Sequence, residues 1–104
     1  MSDRVIVEVD EDLSDLIPGF LARKRAEVAA IFEAVARRDY EEISRVAHRI
    51  KGEGGSYGFD AMSEMGRSLQ HAAAIRDDGA VTTLARQLLS YLDHIEVVFQ
   101  PAKD

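Results

Sequence analysis

His48 is followed by Lys51 three residues on and by Gly52 four residues on, inside a segment whose apolar residues recur at helical spacing. An imidazole is a nitrogen nucleophile that can accept a phosphoryl group. A lysine one turn away offsets the negative charge that such a group brings. Arg45 and Arg49 flank the histidine and make the stretch locally basic. Gly52, Gly54 and Gly55 then fall within four positions. Each glycine in a helix interior costs about 1 kcal/mol relative to alanine, so the run implies that bare backbone is needed there.

Helical phase sorts these residues. At about 100° per residue, Ile43, Val46, Ile50 and Tyr57 gather on one side of their helix and His48 falls nearly opposite, facing solvent. Glu41, Ser44, Arg45, Lys51, Gly52 and Gly55 share its face. Gly52 and Gly55 leave room for a partner surface to approach the ring, whereas Gly54 and Ala47 point to the flank and admit a neighbouring helix. Ser44, Arg45, Arg49, Gly52 and Gly55 are thus the candidate partner-binding residues, and His48 and Lys51 the candidate chemical pair.

The elements that must hold this face are helical. Val5, Val7 and Val9 alternate like a strand, but no second strand is evident, so residues 1–11 read as an extended arm. Asp12 or Ser14 caps a short covering helix, and Pro18 suits the first turn of a longer one with Phe20, Leu21, Val28, Ile31, Phe32 and Val35 along its stripe. Arg38-Asp39 marks a tight connection into the His48 helix, over about 39–57. Gly58 stops that helix, and Asp60 caps the next, which carries Met62, Met65, Leu69, Ala72 and Ala73. Asp77, Asp78 and Gly79 make a break before a last stripe of Val81, Leu84, Leu88, Leu92, Ile95 and Phe99, ended by Pro101. Four long amphipathic helices with short connections predict an all-α, antiparallel up-down four-helix bundle with a short N-terminal covering helix.

Composition excludes several classes. At 104 residues the chain reads as one domain over 1–104, and a 46% apolar fraction is normal for a soluble globular protein. The absence of cysteine excludes disulfides, thiol catalysis and thiolate metal sites. A net charge of −6 argues against nucleic acid as the main partner. No run of eighteen apolar residues and no signal-peptide core are present, which predicts no membrane span and fits a cytoplasmic protein. One bundle that buries its own stripes reads as a monomer.

His48-x-x-Lys51-Gly52 with Gly58 beyond it, a helical run before and an amphipathic helix after, resembles the histidine-containing phosphotransfer (HPt) domains of multistep bacterial phosphorelays. The resemblance spans nearly the whole chain, and Leu16-Ile17-Pro18-Gly19-Phe20-Leu21 is similar to the start of the first long helix in stand-alone members. It implies a phosphoryl carrier that is not a kinase and binds no ATP. His48 would exchange a phosphoryl group with aspartates of response-regulator receiver domains, including those of a hybrid histidine kinase. No cofactor or metal of its own is implied, because the receiver brings the Mg²⁺. Lys51 would neutralise the phosphoryl group and Gly52 would clear space for the receiver. Some members place a glutamine of the following helix close to the phosphorylated ring, a role that falls here to Gln70. Glu53 departs from the small polar residue usual after the Lys-Gly pair.

Other readings fit less well. The residues three before the histidines are Arg45, Ser68 and Tyr91, which gives no Glu-x-x-His metal pair. The glycines follow a helix and match neither a Walker nor a dinucleotide pattern. His48 is followed by Arg49 and by no nearby proline, unlike the dimerisation helices of sensor kinases. The remaining alternative is a non-catalytic interaction bundle that docks an acidic protein through Arg45, Arg49 and Lys51.

Overall fold

The computed structural model describes residues 4–101, so residues 1–3 of the expected arm lie outside the described residues. In chain order these form strand β1 (Val5–Asp10), a one-turn 3-10 helix (Glu11–Leu13), helices α1 (Ile17–Ala36), α2 (Tyr40–Ser56), α3 (Asp60–Ala74) and α4 (Asp78–His94), and strand β2 (Ile95–Gln100). Helix α1 packs on α2 and α4, and α3 packs on the same two, so the four helices close around one core. The most extensive of these contacts is between α2 and α3. Phe20, Val28 and Ile31 of α1 meet Ile43 and Ile50 of α2, Met62 and Leu69 of α3, and Val81 and Leu88 of α4 in that core, all essentially without exposed surface.

Local chemistry ends and restarts the helices. Arg38 and Arg76 each take a left-handed backbone, φ 56°, just after α1 and α3. An aspartate follows each of them and caps the next helix. The Asp39 carboxylate accepts the Glu42 amide at 3.1 Å, and the Asp77 carboxylate accepts the Ala80 amide at 3.0 Å. Between α2 and α3 the chain turns at Gly58, whose φ of 89° suits glycine. Pro18 lies in the first turn of α1, where its missing N–H costs nothing.

Five expectations need correction. The fold is mostly helical but not all-α, because β1 has a partner: it pairs in parallel with β2, in register from Val5 with Ile95 to Val9 with Phe99. The last helix therefore stops at His94 and does not run to Phe99. Ile95, Val97 and Val98 are β-branched and favour extended backbone. In this register Ile95 and Val97 lie beside Val5 and Val7 on one face of the ribbon, where both pack against the core. The short covering helix is only the Glu11–Leu13 turn, capped by Asp10 and not by Asp12 or Ser14. Asp60 is the first residue of α3 and not its cap; Phe59 holds that position without a side-chain bond. Asp78 and Gly79 belong to the first turn of α4, not to a break before it.

Candidate functional site

Helix α2 buries Ile43, Val46, Ala47 and Ile50, and that phase leaves His48 and Arg49 exposed. His48 lines a shallow depression with Ser44 and Arg45 from its own helix and Gln70 from α3. Asp39, Glu41 and Glu42 form the acidic side of the same depression. The structure thus brings four of the residues singled out from the sequence onto one surface: Ser44, Arg45, His48 and Gln70. Lys51 lies one turn further along α2 and is half-buried.

The glycines divide by what surrounds them. A side chain at Gly52 would meet nothing within 4 Å, and one at Gly55 only the Ser63 hydroxyl at 3.7 Å. Both positions are exposed and leave the face beyond His48 low. Gly54 is buried, and a Cβ there would stand 3.0 Å from the Ser63 amide nitrogen. That is the close helix contact expected of it.

A fourth glycine, on α3, carries no signal in the His48 motif. A Cβ at Gly66 would fall 2.7 Å from the Lys51 nitrogen and 2.9 Å from both the Lys51 Cα and the Ala47 oxygen. The backbone of α3 therefore rests directly on the turn of α2 that bears His48 and Lys51. One turn earlier on α3, the Ser63 hydroxyl donates to the Lys51 carbonyl at 2.7 Å. The sequence does hold a hint of Gly66: it sits between Met62 and Leu69 on the apolar stripe of α3, where a glycine gives up both propensity and packing.

The basic patch is weaker than its residue count suggests. Arg49 donates to the Glu27 carboxylate of α1 at 2.9 Å, and Arg45 pairs with Glu42 on its own helix. Lys51 joins no salt bridge among the described residues. Glu53 turns to the flank, where its carboxylate accepts a hydrogen bond from Lys24. Lys24 has no exposed surface and also donates to Glu27 at 2.5 Å. The bond from Lys24 holds the Glu53 carboxyl below the usual glutamate range, against the opposing effect of desolvation. Lys24 follows Phe20 by one turn on the buried stripe of α1, a position at which a lysine is buried only if paired. Lys24, Glu27, Arg49 and Glu53 thus form a closed set of two cations and two anions between α1 and α2.

The far end of α2 carries contacts of another kind. The Tyr57 ring stacks on Phe20 with centroids 4.4 Å apart, and the Ser56 hydroxyl donates to the Gly52 carbonyl at 3.0 Å. Among the described residues no group of three or more His, Asp or Glu side chains is placed to hold a metal ion, and no helix is long and apolar enough to cross a membrane.

Comparison with known proteins agrees with this arrangement. No curated protein and no solved structure matches the chain. The family model described as Hpt domain matches residues 3–97 of the 104. That span takes in all four helices, the exposed histidine of α2 and the α3 surface packed behind it, and the chain belongs to the Hpt domain family.

Proposed function

We propose that this protein is a histidine phosphotransfer component of a multistep phosphorelay, in which His48 exchanges a phosphoryl group with aspartates of response-regulator receiver domains. The observation that carries the reading is the exposure of His48 on the outer face of α2 with the space beyond it, at Gly52, free of side chains. Family membership supports the class of reaction.

In the transfer, a ring nitrogen of neutral His48 attacks the phosphorus of a receiver aspartyl phosphate. An N–P bond forms, the P–O bond to the aspartyl oxygen breaks, and the carboxylate leaves with the bonding pair. The ring keeps its other N–H, so it becomes a phosphorylated imidazolium, and the reverse step regenerates neutral imidazole. Charge spreads over the phosphoryl oxygens as the group moves. Lys51, one turn away, is the cation suited to offset it, since Arg45 and Arg49 are engaged with Glu42 and Glu27. Gln70 is suited to hydrogen-bond the phosphoryl oxygens from across the depression. Ser44, Arg45, Arg49, Gly52 and Gly55 form the docking face, and the receiver supplies the Mg²⁺.

The four helices are read as antiparallel and up-down, joined by short connections, in a single domain over 1–104 that acts as a cytoplasmic monomer. Contact with a receiver is transient, because a carrier must release one partner before it engages the next. A receiver domain of a response regulator or of a hybrid kinase serves as donor or acceptor. The non-catalytic docking alternative is weakened by the pairing of two of its three cations.

The deciding experiment is phosphotransfer from a ³²P-labelled receiver domain to the wild type and to His48→Gln. Wild type should take label in an acid-labile, alkali-stable form, and the Gln variant should take none while keeping its helical spectrum. Label on the Gln variant would place the chemistry at another residue.

A further inference from the structure

The turn of α2 that would carry out this chemistry is followed by the poorest helix-forming stretch in the protein. Beyond Lys51 come Gly52, Gly54 and Gly55, and the helical ladder hands the Lys51 carbonyl to the amide of Gly55. Left to local propensity, the main chain at Lys51 would be loosely held on its C-terminal side.

Helix α3 makes up for this from outside. The Ser63 hydroxyl donates to the Lys51 carbonyl at 2.7 Å. Gly66 brings α3 against the nitrogen and Cα of the same residue, where a Cβ would fall at 2.7 and 2.9 Å. Gln70 then lines the depression beside His48. Ser63, Gly66 and Gln70 stand at i, i+3 and i+7, so they lie on one face of α3 and track along α2 from Lys51 to His48. Gly66 supplies closeness and Gln70 shares the depression with His48. Of these three residues of α3, Ser63 is the one that bonds Lys51 directionally.

We propose that Ser63 is a positioning residue for Lys51: its hydroxyl fixes the Lys51 main chain across the α2–α3 contact, so that the ammonium is held within reach of the phosphoryl group on His48. This rests on the reading of His48 as phosphoacceptor. Ser63 touches no reacting atom. Its effect passes through Lys51, and that sets how it must be tested.

The test is a double-mutant cycle on single-turnover phosphotransfer from a labelled receiver domain, with Ser63→Ala, Lys51→Ala and the pair. Loss of one hydrogen bond's worth of positioning lowers the rate at saturating receiver by about fivefold in Ser63→Ala. The half-saturating receiver concentration stays unchanged, because the docking face is untouched. Ser63→Thr, which keeps the hydroxyl, recovers most of the rate. In the Lys51→Ala background, Ser63→Ala has no further effect, since the residue it positions is gone. Independent, multiplying effects of the two substitutions would overturn the proposal, as would a Ser63→Ala variant that loses thermal stability but transfers at the wild-type rate. Failure of the wild type to take label at all would overturn the phosphoacceptor reading and this one together; normal labelling with a multiplying cycle sinks only this one.

Discussion

The same substitution, glycine to alanine, should act in opposite directions at exposed Gly52 of α2 and at Gly66 in the α2–α3 contact. At Gly52 a new Cβ meets nothing within 4 Å, so the variant keeps only the helix-propensity gain of up to about 1 kcal/mol. At Gly66 the new Cβ lands 2.7 to 2.9 Å from three atoms, all of them backbone of α2. Carbon contacts relax only at about 3.5 Å, and backbone cannot swing aside as a side chain can. Helix α3 must therefore retreat by about half an ångström or more, loosening Met62 and Leu69 in the core. Overpacking of this kind costs about 1–3 kcal/mol. With the clash wholly against backbone the upper figure applies, and the propensity gain of about 1 kcal/mol leaves a net loss of about 2 kcal/mol. Urea unfolding followed by circular dichroism should separate the two variants by about 3 kcal/mol, one above wild type and one below, a gap of about 12 °C or more in Tm for a domain of this size. Equal midpoints for the two variants, or a Gly66→Ala protein as stable as wild type, would refute the reasoning that α3 rests on the His48 turn.

Two further outcomes follow from ionisable groups. Lys24 depresses the Glu53 carboxyl, so the pairing stabilises the fold fully above the ordinary glutamate value and is lost as pH falls through the lower folded value. Unfolding free energies of wild type and Glu53→Gln should therefore differ near neutral pH and converge in acid; a difference constant with pH would contradict the pairing. Burial, and secondarily the nearby Asp60 charge, push the Tyr91 phenol up to about 12. The stability linked to its neutral form is present below the ordinary phenol value and fades as pH rises through about 12. Ultraviolet titration should show a late phenolate step that disappears in Tyr91→Phe, and an unchanged curve in that variant would contradict the assignment.

Much of the candidate site was legible because it is local. The outward phase of His48 depends only on the spacing of Ile43, Val46, Ala47 and Ile50 along one helix, and short-range periodicity decides it. The open space at Gly52 and the packed position of Gly54 follow from the same phase. The helices were readable for a like reason, because apolar stripes are written within a few residues, whereas the caps expected at Asp12 or Ser14 and at Asp60 fall instead at Asp10 and Phe59. The resemblance of His48-x-x-Lys51-Gly52, with Gly58 beyond it, to the Hpt family is borne out by the family match over residues 3–97.

Contacts between distant segments were decided only in three dimensions. Val5–Asp10 looks like an arm until Ile95–Gln100 comes beside it, and neither segment alone says that its backbone groups find partners in the other. Arg49 looks like a free docking cation until Glu27 reaches it from α1, and of the two places open to Glu53, beside the site or on the flank, buried Lys24 selects the flank. Gly66 and Ser63 bear on Lys51 only because α3 lies against α2 in one particular register. By itself the sequence determined which residue α2 presents to solvent, because helical phase is set by neighbours a turn away. The tertiary structure alone decided which charges remain free around it and what holds its turn in place, because those depend on residues that only packing brings together.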